Sequence, residues 1–211
     1  MSKTIIGVVG LIGSGKDTVA EYIGENYGFE HESFAATLKD AVAAVFGWER
    51  SMLEGKTTHA RAARETVDEW WAERLGMPDL TPRWVLQYWG TDLCRNHFHT
   101  DIWVAALEHK VHMSTADIVI SDCRFPNEIE VIRKMGGKVI WVQRGYSPDW
   151  FNTAIAAAQG NKSAIEIMNN KNIHASEWAW ADTDFDHVIH NDGTLDQLYE
   201  MVDNLQICNW A

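Results

Sequence analysis

The sequence predicts an α/β fold, a parallel sheet of about five strands covered by helices, on three observations. Short apolar runs rich in β-branched residues recur along the chain. A stretch with helical spacing follows nearly every one of them. Glycine-rich or polar turns separate the runs from the helices. Strands that alternate with helices imply a parallel sheet covered on both faces, in which ligands bind beyond the carboxyl ends of the strands.

The first run, residues 4–9, is Thr-Ile-Ile-Gly-Val-Val and reads as a buried parallel strand. It is broken by Gly7 and ends at Gly10, so it is neither a signal peptide nor a membrane span. Residues 10–15 form a glycine-rich turn. Val19, Tyr22, Ile23 and Tyr27 then stand at helical spacing over residues 16–27, with Gly28 as the stop. Residues 29–34 are a weaker strand and 35–46 a helix. Residues 48–80 are charged, irregular and Trp-bearing and read as an insertion. Thr81 as N-cap and Pro82 at the first helical position begin a helix that runs to about Phe98.

Residues 102–113 are a further helix and 117–120 a strand ending in Ser121-Asp122-Cys123-Arg124. A helix over 126–135 closes at Gly136-Gly137, and 138–142 is another buried strand. Residues 147–184 carry no strand signal and mix Gly, Asn, Trp and charge. A short strand at 187–189 precedes Asn191-Asp192-Gly193, and 194–207 is the final helix. The polar segments 10–18, 121–124 and 191–193 each follow a strand, so they are expected at one edge of the sheet.

The chain has 211 residues, enough for a single domain with inserted segments, and its 46% hydrophobic and 23% charged residues fit a soluble globular protein. A net charge of -12 argues against direct nucleic-acid binding, because duplex DNA calls for a basic surface. A protein this acidic that handles an anion must gather its Arg and Lys locally. Three scattered cysteines with no C-x-x-C pair point to reduced thiols and the cytoplasm. No window is long and apolar enough for a bilayer, so no membrane partner is expected. Eleven Trp exceed what a small core readily buries, and that spare surface permits a homodimer.

Gly10-Leu11-Ile12-Gly13-Ser14-Gly15-Lys16 fits G-x-x-x-x-G-K between a strand and a helix, the phosphate-binding P-loop arrangement. Its backbone N–H groups and the helix N-terminus suit a phosphate, and Lys16 can reach the β and γ phosphates. The next residue is usually Ser or Thr, whose hydroxyl holds Mg2+. Here it is Asp17, followed by Thr18, so the ion has three candidate arrangements: Asp17 directly, Asp17 through water, or Thr18. Asp122, at the end of a neighbouring strand, suits the same Mg2+ shell. Arg124 could clamp a phosphate bidentately; the plain alternative for both is a surface ion pair and a helix cap.

Lys56, Arg61 and Arg64 lie in the insertion. Arg83, Gln87 and Thr91 share a helix face by i, i+4 spacing and could bind phosphate and read a base edge, or could be a solvated face. Trp84, Trp89 and Phe98 could stack on a base, though packing accounts for any one of them. His174-Ala175-Ser176-Glu177 sits in the long irregular segment, with Ser176 read as a helix N-cap. No His or Cys spacing suggests zinc, and Asp182, Asp184 and Asp186 read as solvated charge.

Together these pieces resemble a family, the deoxynucleoside monophosphate kinases of tailed bacteriophages. The resemblance rests on Gly13-Ser14-Gly15-Lys16-Asp17-Thr18, Thr81-Pro82-Arg83 with Leu86-Gln87 and Gly90-Thr91-Asp92, and Asp101-Ile102-Trp103-Val104. It continues in Ser121 through Glu128, Val142-Gln143-Arg144 and Asn191-Asp192-Gly193-Thr194-Leu195. The Lys-Asp-Thr form of the loop is that family's own. The resemblance implies a P-loop kinase fold in one domain over 1–211, with residues 48–80 covering the monophosphate and 145–182 forming a lid. It implies ATP as donor, Mg2+, a small nucleotide as acceptor and, for a phage protein, the host cytoplasm. Gly13, Ser14, Gly15, Lys16, Asp17, Thr18, Arg144, Asn191 and Gly193 then fall on the donor side, with adenine packing at the 191–194 turn. Lys56, Arg64, Arg83, Gln87, Thr91 and Arg124 fall on the acceptor side. Two other readings stand beside this one: a kinase of another small phosphorylated metabolite, of the dephospho-coenzyme A or phosphomevalonate type, and a nucleotide-binding sensor without turnover. The Gln87 and Thr91 face favours a nucleotide acceptor, and retention of Lys16 and Asp122 favours turnover.

Overall fold

The computed structural model of the chain describes residues 3–171 and 173–210. The chain divides into two compact units, one of residues 1–33 with 108–211 and one of residues 34–107. The first unit opens with β1 (Ile5–Val9), in which every residue is buried. After the glycine-rich turn comes α1 (Lys16–Tyr27), which ends where Gly28 donates to the Gly24 carbonyl. Next is β2 (Glu30–Glu32), shorter than the sequence suggests. It is an edge strand, and short, charged edge strands resist pairing with other chains.

The second unit is helical: α2 (Ala36–Phe46), α3 (Arg50–Glu54), α4 (Thr58–Glu65), α5 (Glu69–Leu75) and α6 (Pro82–Gln87). The stretch 48–80, which looks irregular in sequence, thus holds three short helices. None is long enough to display a period, and helices of that length need packing and caps to persist. Thr57 accepts from the Ala60 amide and Asp68 from the Trp71 amide. Leu38, Val42, Leu53, Ala72, Leu80, Val85 and Trp103 form the core they share. Thr81 caps α6 by accepting from the Trp84 amide, with Pro82 in the first turn as the sequence implies. The helix does continue to Phe98, but from Tyr88 on its turns widen to the i→i+5 bonding of a π-helix. Within the wide turns the Gly90 carbonyl accepts from the Trp103 indole at 2.9 Å. Trp70 and Phe98 stay largely exposed, 63% and 76%.

Helix α7 (Ile102–Met113) crosses the division between the units along the chain. The first unit then resumes with β3 (Ile118–Ile120), α8 (Pro126–Lys134) and β4 (Lys138–Gln143). Residues 147–184 hold α9 (Phe151–Ala158), α10 (Lys162–Asn170) and a 3-10 turn at Ala175–Glu177. β5 (His187–His190) and α11 (Leu195–Asp203) complete the unit. The five strands form one sheet in the order β2-β3-β1-β4-β5, and every pairing is parallel. The register sets Ile6 beside Val119 and Lys138. Ile6, Val8, Val119, Ile140, Val142 and Ile189 from the sheet pack with Val19, Ile23, Leu198 and Val202 from α1 and α11. The parallel sense brings the segments after β1, β3 and β5 to a common edge, as the sequence predicts, and the segment after β4 with them.

Candidate active site

In the first unit the site begins where β1 gives way to α1. Gly15 sits at φ 95°, in the left-handed region, and a Cβ there would overlap the Asn191 amide nitrogen. Only glycine satisfies both demands. Asn191 is itself buried, and its side-chain amide donates to the Ser14 carbonyl at 2.8 Å. The turn after β5 therefore braces the loop after β1. The Ser14 amide donates to Leu11 at 3.1 Å, which closes the loop on itself.

This loop is shaped for an anion. Ser14 is 3% exposed, and its hydroxyl has no hydrogen-bond partner among the described residues. Leaving a buried hydroxyl unpaired costs about 1–3 kcal/mol, a cost that a phosphate oxygen would remove. The Lys16 side chain is 11% exposed, and its ammonium meets one carboxylate oxygen, that of Asp17, at 3.5 Å. A buried ammonium at a helix N-terminus, with one distant counter-ion, concentrates positive potential in an otherwise acidic chain.

The donor set fits Mg2+. That ion takes oxygen ligands, keeps several waters and uses one or two carboxylates together with substrate phosphates. Asp17 is well exposed at the loop's rim. Asp122 is half-buried just beyond β3, the strand paired to β1. No group of three or more His, Cys, Asp and Glu suited to a metal ion occurs among the described residues, so any ion here would draw the rest of its shell from water and phosphate.

Arg124 is fixed at both ends. Its backbone amide donates to Glu128 Oε2 at 2.8 Å, as does that of Phe125 at 3.1 Å, and Glu128 is 2% exposed. At the other end a guanidinium N–H donates to Glu177 Oε1 at 3.0 Å. Arg144 is exposed beside a cavity of about 30 Å3 lined by Leu11, Ser14, Trp141 and Tyr146. The Gly145 amide donates to Asp192 at 2.6 Å, which ties the segment after β4 to the turn after β5. Gly193 lies against Gln197, whose side chain caps α11 together with Thr194.

The second unit carries the remaining candidates. Arg64, on α4, donates to the Leu53 carbonyl at 3.3 Å, while its buried Nε has no partner. Its guanidinium lies against Gly55, which is at φ 66° and has no room for a Cβ. Burial, and then the neighbouring Arg83, hold the Arg64 guanidinium below its ordinary value. It remains a cation, with Glu65 and Glu54 in its field but no carboxylate within ion-pair distance among the described residues. Arg83 pairs with Glu65 at 3.3 Å. Arg83, Gln87 and Thr91 are all exposed, Thr91 in the widened turns after Gln87, and Lys56 is exposed on the loop between α3 and α4. A cavity of about 370 Å3 opens between Trp48, Met52, His59, Ala62, Ala63 and Pro82.

Sequence reasoning did not find Glu177 as the partner of Arg124, Gly55 as the platform of Arg64, or Asn191 as a brace. The His-x-Ser-Glu segment was visible but offered no mechanism without its partner 53 residues away.

A sequence model of the family described as deoxynucleotide monophosphate kinase matches residues 54–202. The chain is 30% identical over 212 residues to a protein of Acanthamoeba polyphaga mimivirus whose name provisionally makes it a deoxynucleotide monophosphate kinase. That match covers 94% of this chain and 93% of the mimivirus protein. It is 43% identical over 56 residues to the deoxynucleoside-5'-monophosphate kinase of Escherichia phage T5, covering 26% of this chain and 22% of that one. Among solved structures, TT1252 from Thermus thermophilus is similar at 18% identity and a TM-score of 0.45, over 99% of both chains. With the family's sequence pattern running through both units, and a parallel sheet presenting a phosphate loop, the chain belongs to the deoxynucleotide monophosphate kinase family and is a phosphotransferase.

Proposed function

We propose that the chain transfers the γ-phosphoryl group of ATP to a deoxynucleoside monophosphate, giving the diphosphate and ADP. The observation that carries this reading is the buried Lys16 beside the unpartnered Ser14 hydroxyl in a loop braced by Asn191. Phosphoryl transfer asks a protein for positioning and charge neutralisation, not a covalent intermediate. The loop amides, Ser14 and Lys16 hold the donor phosphates. Asp17 and Asp122 would hold Mg2+, directly or through water, and the ion would neutralise charge on the phosphates. Arg64, Arg83 and Arg124 take the acceptor phosphate, whose oxygen is already a nucleophile near neutral pH and requires no general base. Gln87 and Thr91 face the base. Arg144 and the segment after it serve the donor side as a lid, and its residue 172 lies outside the described residues.

A cytoplasmic setting, that of a host cell for a viral protein, accords with three free cysteines among the described residues. No described helix is long and apolar enough to cross a membrane. The test is ADP release coupled to a reporter, run across deoxynucleoside monophosphates, dephospho-coenzyme A and phosphomevalonate. We expect turnover with one or more of the monophosphates alone. Turnover with another acceptor, or binding of ATP with no turnover at all, would replace the proposal with the metabolite kinase or the sensor.

A further inference from the structure

The His174-to-Glu177 segment is the one motif with no part in the chemistry above, and its geometry supplies one. His174, not Ser176, caps the 3-10 turn: its Nδ1 accepts from the Ser176 amide at 3.2 Å, and its carbonyl accepts from the Glu177 amide at 2.9 Å. The next residues are anchored. Trp178 is 7% exposed and donates its indole N–H to the Ile173 carbonyl at 3.1 Å. Trp180 is 1% exposed and packs with Trp141, Phe151 and Phe185. Glu177 therefore projects from a turn fixed on both sides. Its carboxylate is largely buried, 23% exposed, and takes one guanidinium N–H of Arg124 at 3.0 Å. The other guanidinium N–H groups of Arg124 have no partner among the described residues, and the Arg124 side chain is 39% exposed.

We infer that Glu177 is a positioning residue for Arg124: it holds one corner of the guanidinium so that the opposite edge faces a phosphate as a preformed fork. This rests on the reading of Arg124 as a phosphate clamp. An arginine side chain has four rotatable torsions, and two parallel N–H···O bonds demand one planar orientation. Fixing one nitrogen in advance removes most of that search before the phosphate arrives. The same carboxylate lowers the positive potential at the clamp, so its removal would tighten phosphate binding if charge alone mattered. Position and charge thus predict opposite signs.

The test uses the full chain and steady-state kcat and KM for ATP and for a deoxynucleoside monophosphate, with melting temperature as a fold control. Glu177→Ala is expected to lower kcat/KM for the monophosphate about tenfold, the order expected for a lost hydrogen bond to a charged group, with little change in KM for ATP. Glu177→Gln keeps an acceptor oxygen at the same reach, and a neutral acceptor bonds about half as strongly, so it should recover much of the loss. In an Arg124→Ala background, Glu177→Ala should do nothing more. Wild-type or faster turnover by Glu177→Ala would overturn the inference, as would equal losses for the Ala and Gln variants, or losses that simply add to those of Arg124→Ala. If Arg124→Ala alone is harmless, the clamp itself is wrong and the inference falls with it, a result distinct from an active Glu177→Ala beside a crippled Arg124→Ala.

Discussion

The phosphate loop and the arginine-bearing helices of residues 34–107 present positive charge by different means. In the loop the backbone is the instrument. Gly15 takes a left-handed conformation, Asn191 pins the Ser14 carbonyl, and Lys16 is a single buried ammonium at a helix N-terminus. Among residues 34–107 the instrument is the side chain. Arg64 is held by one carbonyl and by contact with Gly55, and Arg83 leans on the exposed Glu65. Backbone amides at a helix start suit any phosphate of the right size. Guanidinium groups on helices, with an amide such as Gln87 nearby, can be rearranged for a particular acceptor. On the proposed function, the comparison teaches a division of labour: a fixed grip for the donor and a tunable one for the acceptor.

The hardest blow to that comparison would fall on the donor grip. Lys16→Ala should cut kcat at least a hundredfold, the scale of removing a preorganised electrostatic contact from a transition state, with the melting temperature and circular dichroism intact. A folded variant turning over at a near wild-type rate would remove the grip from the loop altogether.

On the acceptor side, Arg64→Ala should lower kcat/KM for the monophosphate roughly ten- to hundredfold, since a hydrogen bond to a charged group is worth about 1.5–3 kcal/mol, while KM for ATP holds. Gly55→Ala sharpens the point. Its new methyl group must push the Arg64 guanidinium aside, and the left-handed backbone costs about 1–2 kcal/mol. It should raise the acceptor KM in the same direction as Arg64→Ala and lower the melting temperature as well. A rise in ATP KM with normal acceptor kinetics would reverse the division.

Tunability predicts a subtler effect at Gln87. Gln87→Leu keeps the approximate size and removes both hydrogen-bonding groups. The ranking of deoxynucleoside monophosphates by kcat/KM should change about tenfold, from a lost hydrogen bond of about 1–3 kcal/mol. An unchanged ranking would leave Gln87 as a bystander on an exposed face.

The smallest effect concerns how the helices are held together. Burial works to raise the Glu54 carboxyl, but Lys39 at 2.6 Å and Arg50 pull it below the usual carboxylate value. A depressed folded value means the stabilisation is present above the unfolded value of 4.5 and fades as pH falls through the lower folded one. Glu54→Gln should therefore melt lower than wild type at pH 7, and the gap should narrow on acidification below pH 4.5. A gap independent of pH would show that Glu54 acts by shape.

Legibility in the sequence followed locality. The buried strands were plain because parallel strands are apolar throughout, and the phosphate loop because all its parts lie within seven residues of one another. Thr81-Pro82 announced α6 for the same reason. α3, α4 and α5 were illegible because five to eight residues show no more than about two turns of a period. The widening of the helix after Gln87 could not be read either, since the Gly90 carbonyl finds its partner in Trp103, thirteen residues on. Arg124 was visible as a candidate, but the carboxylate that orients it was not. Pairings of that kind exist only once the sheet has brought distant turns to one edge.

The bond from Asn191 to the Ser14 carbonyl spans 177 positions. On a ribosome adding roughly 5–20 residues per second, the brace emerges about 9–35 s after the loop it secures. Until β5 has been made and has joined β4, Gly10 to Lys16 form a loop without its lock. The nascent chain therefore locks this loop late, as one of the closing events of folding. A phosphate ligand held by this loop would stabilise only the finished fold, and the earlier steps must proceed without it.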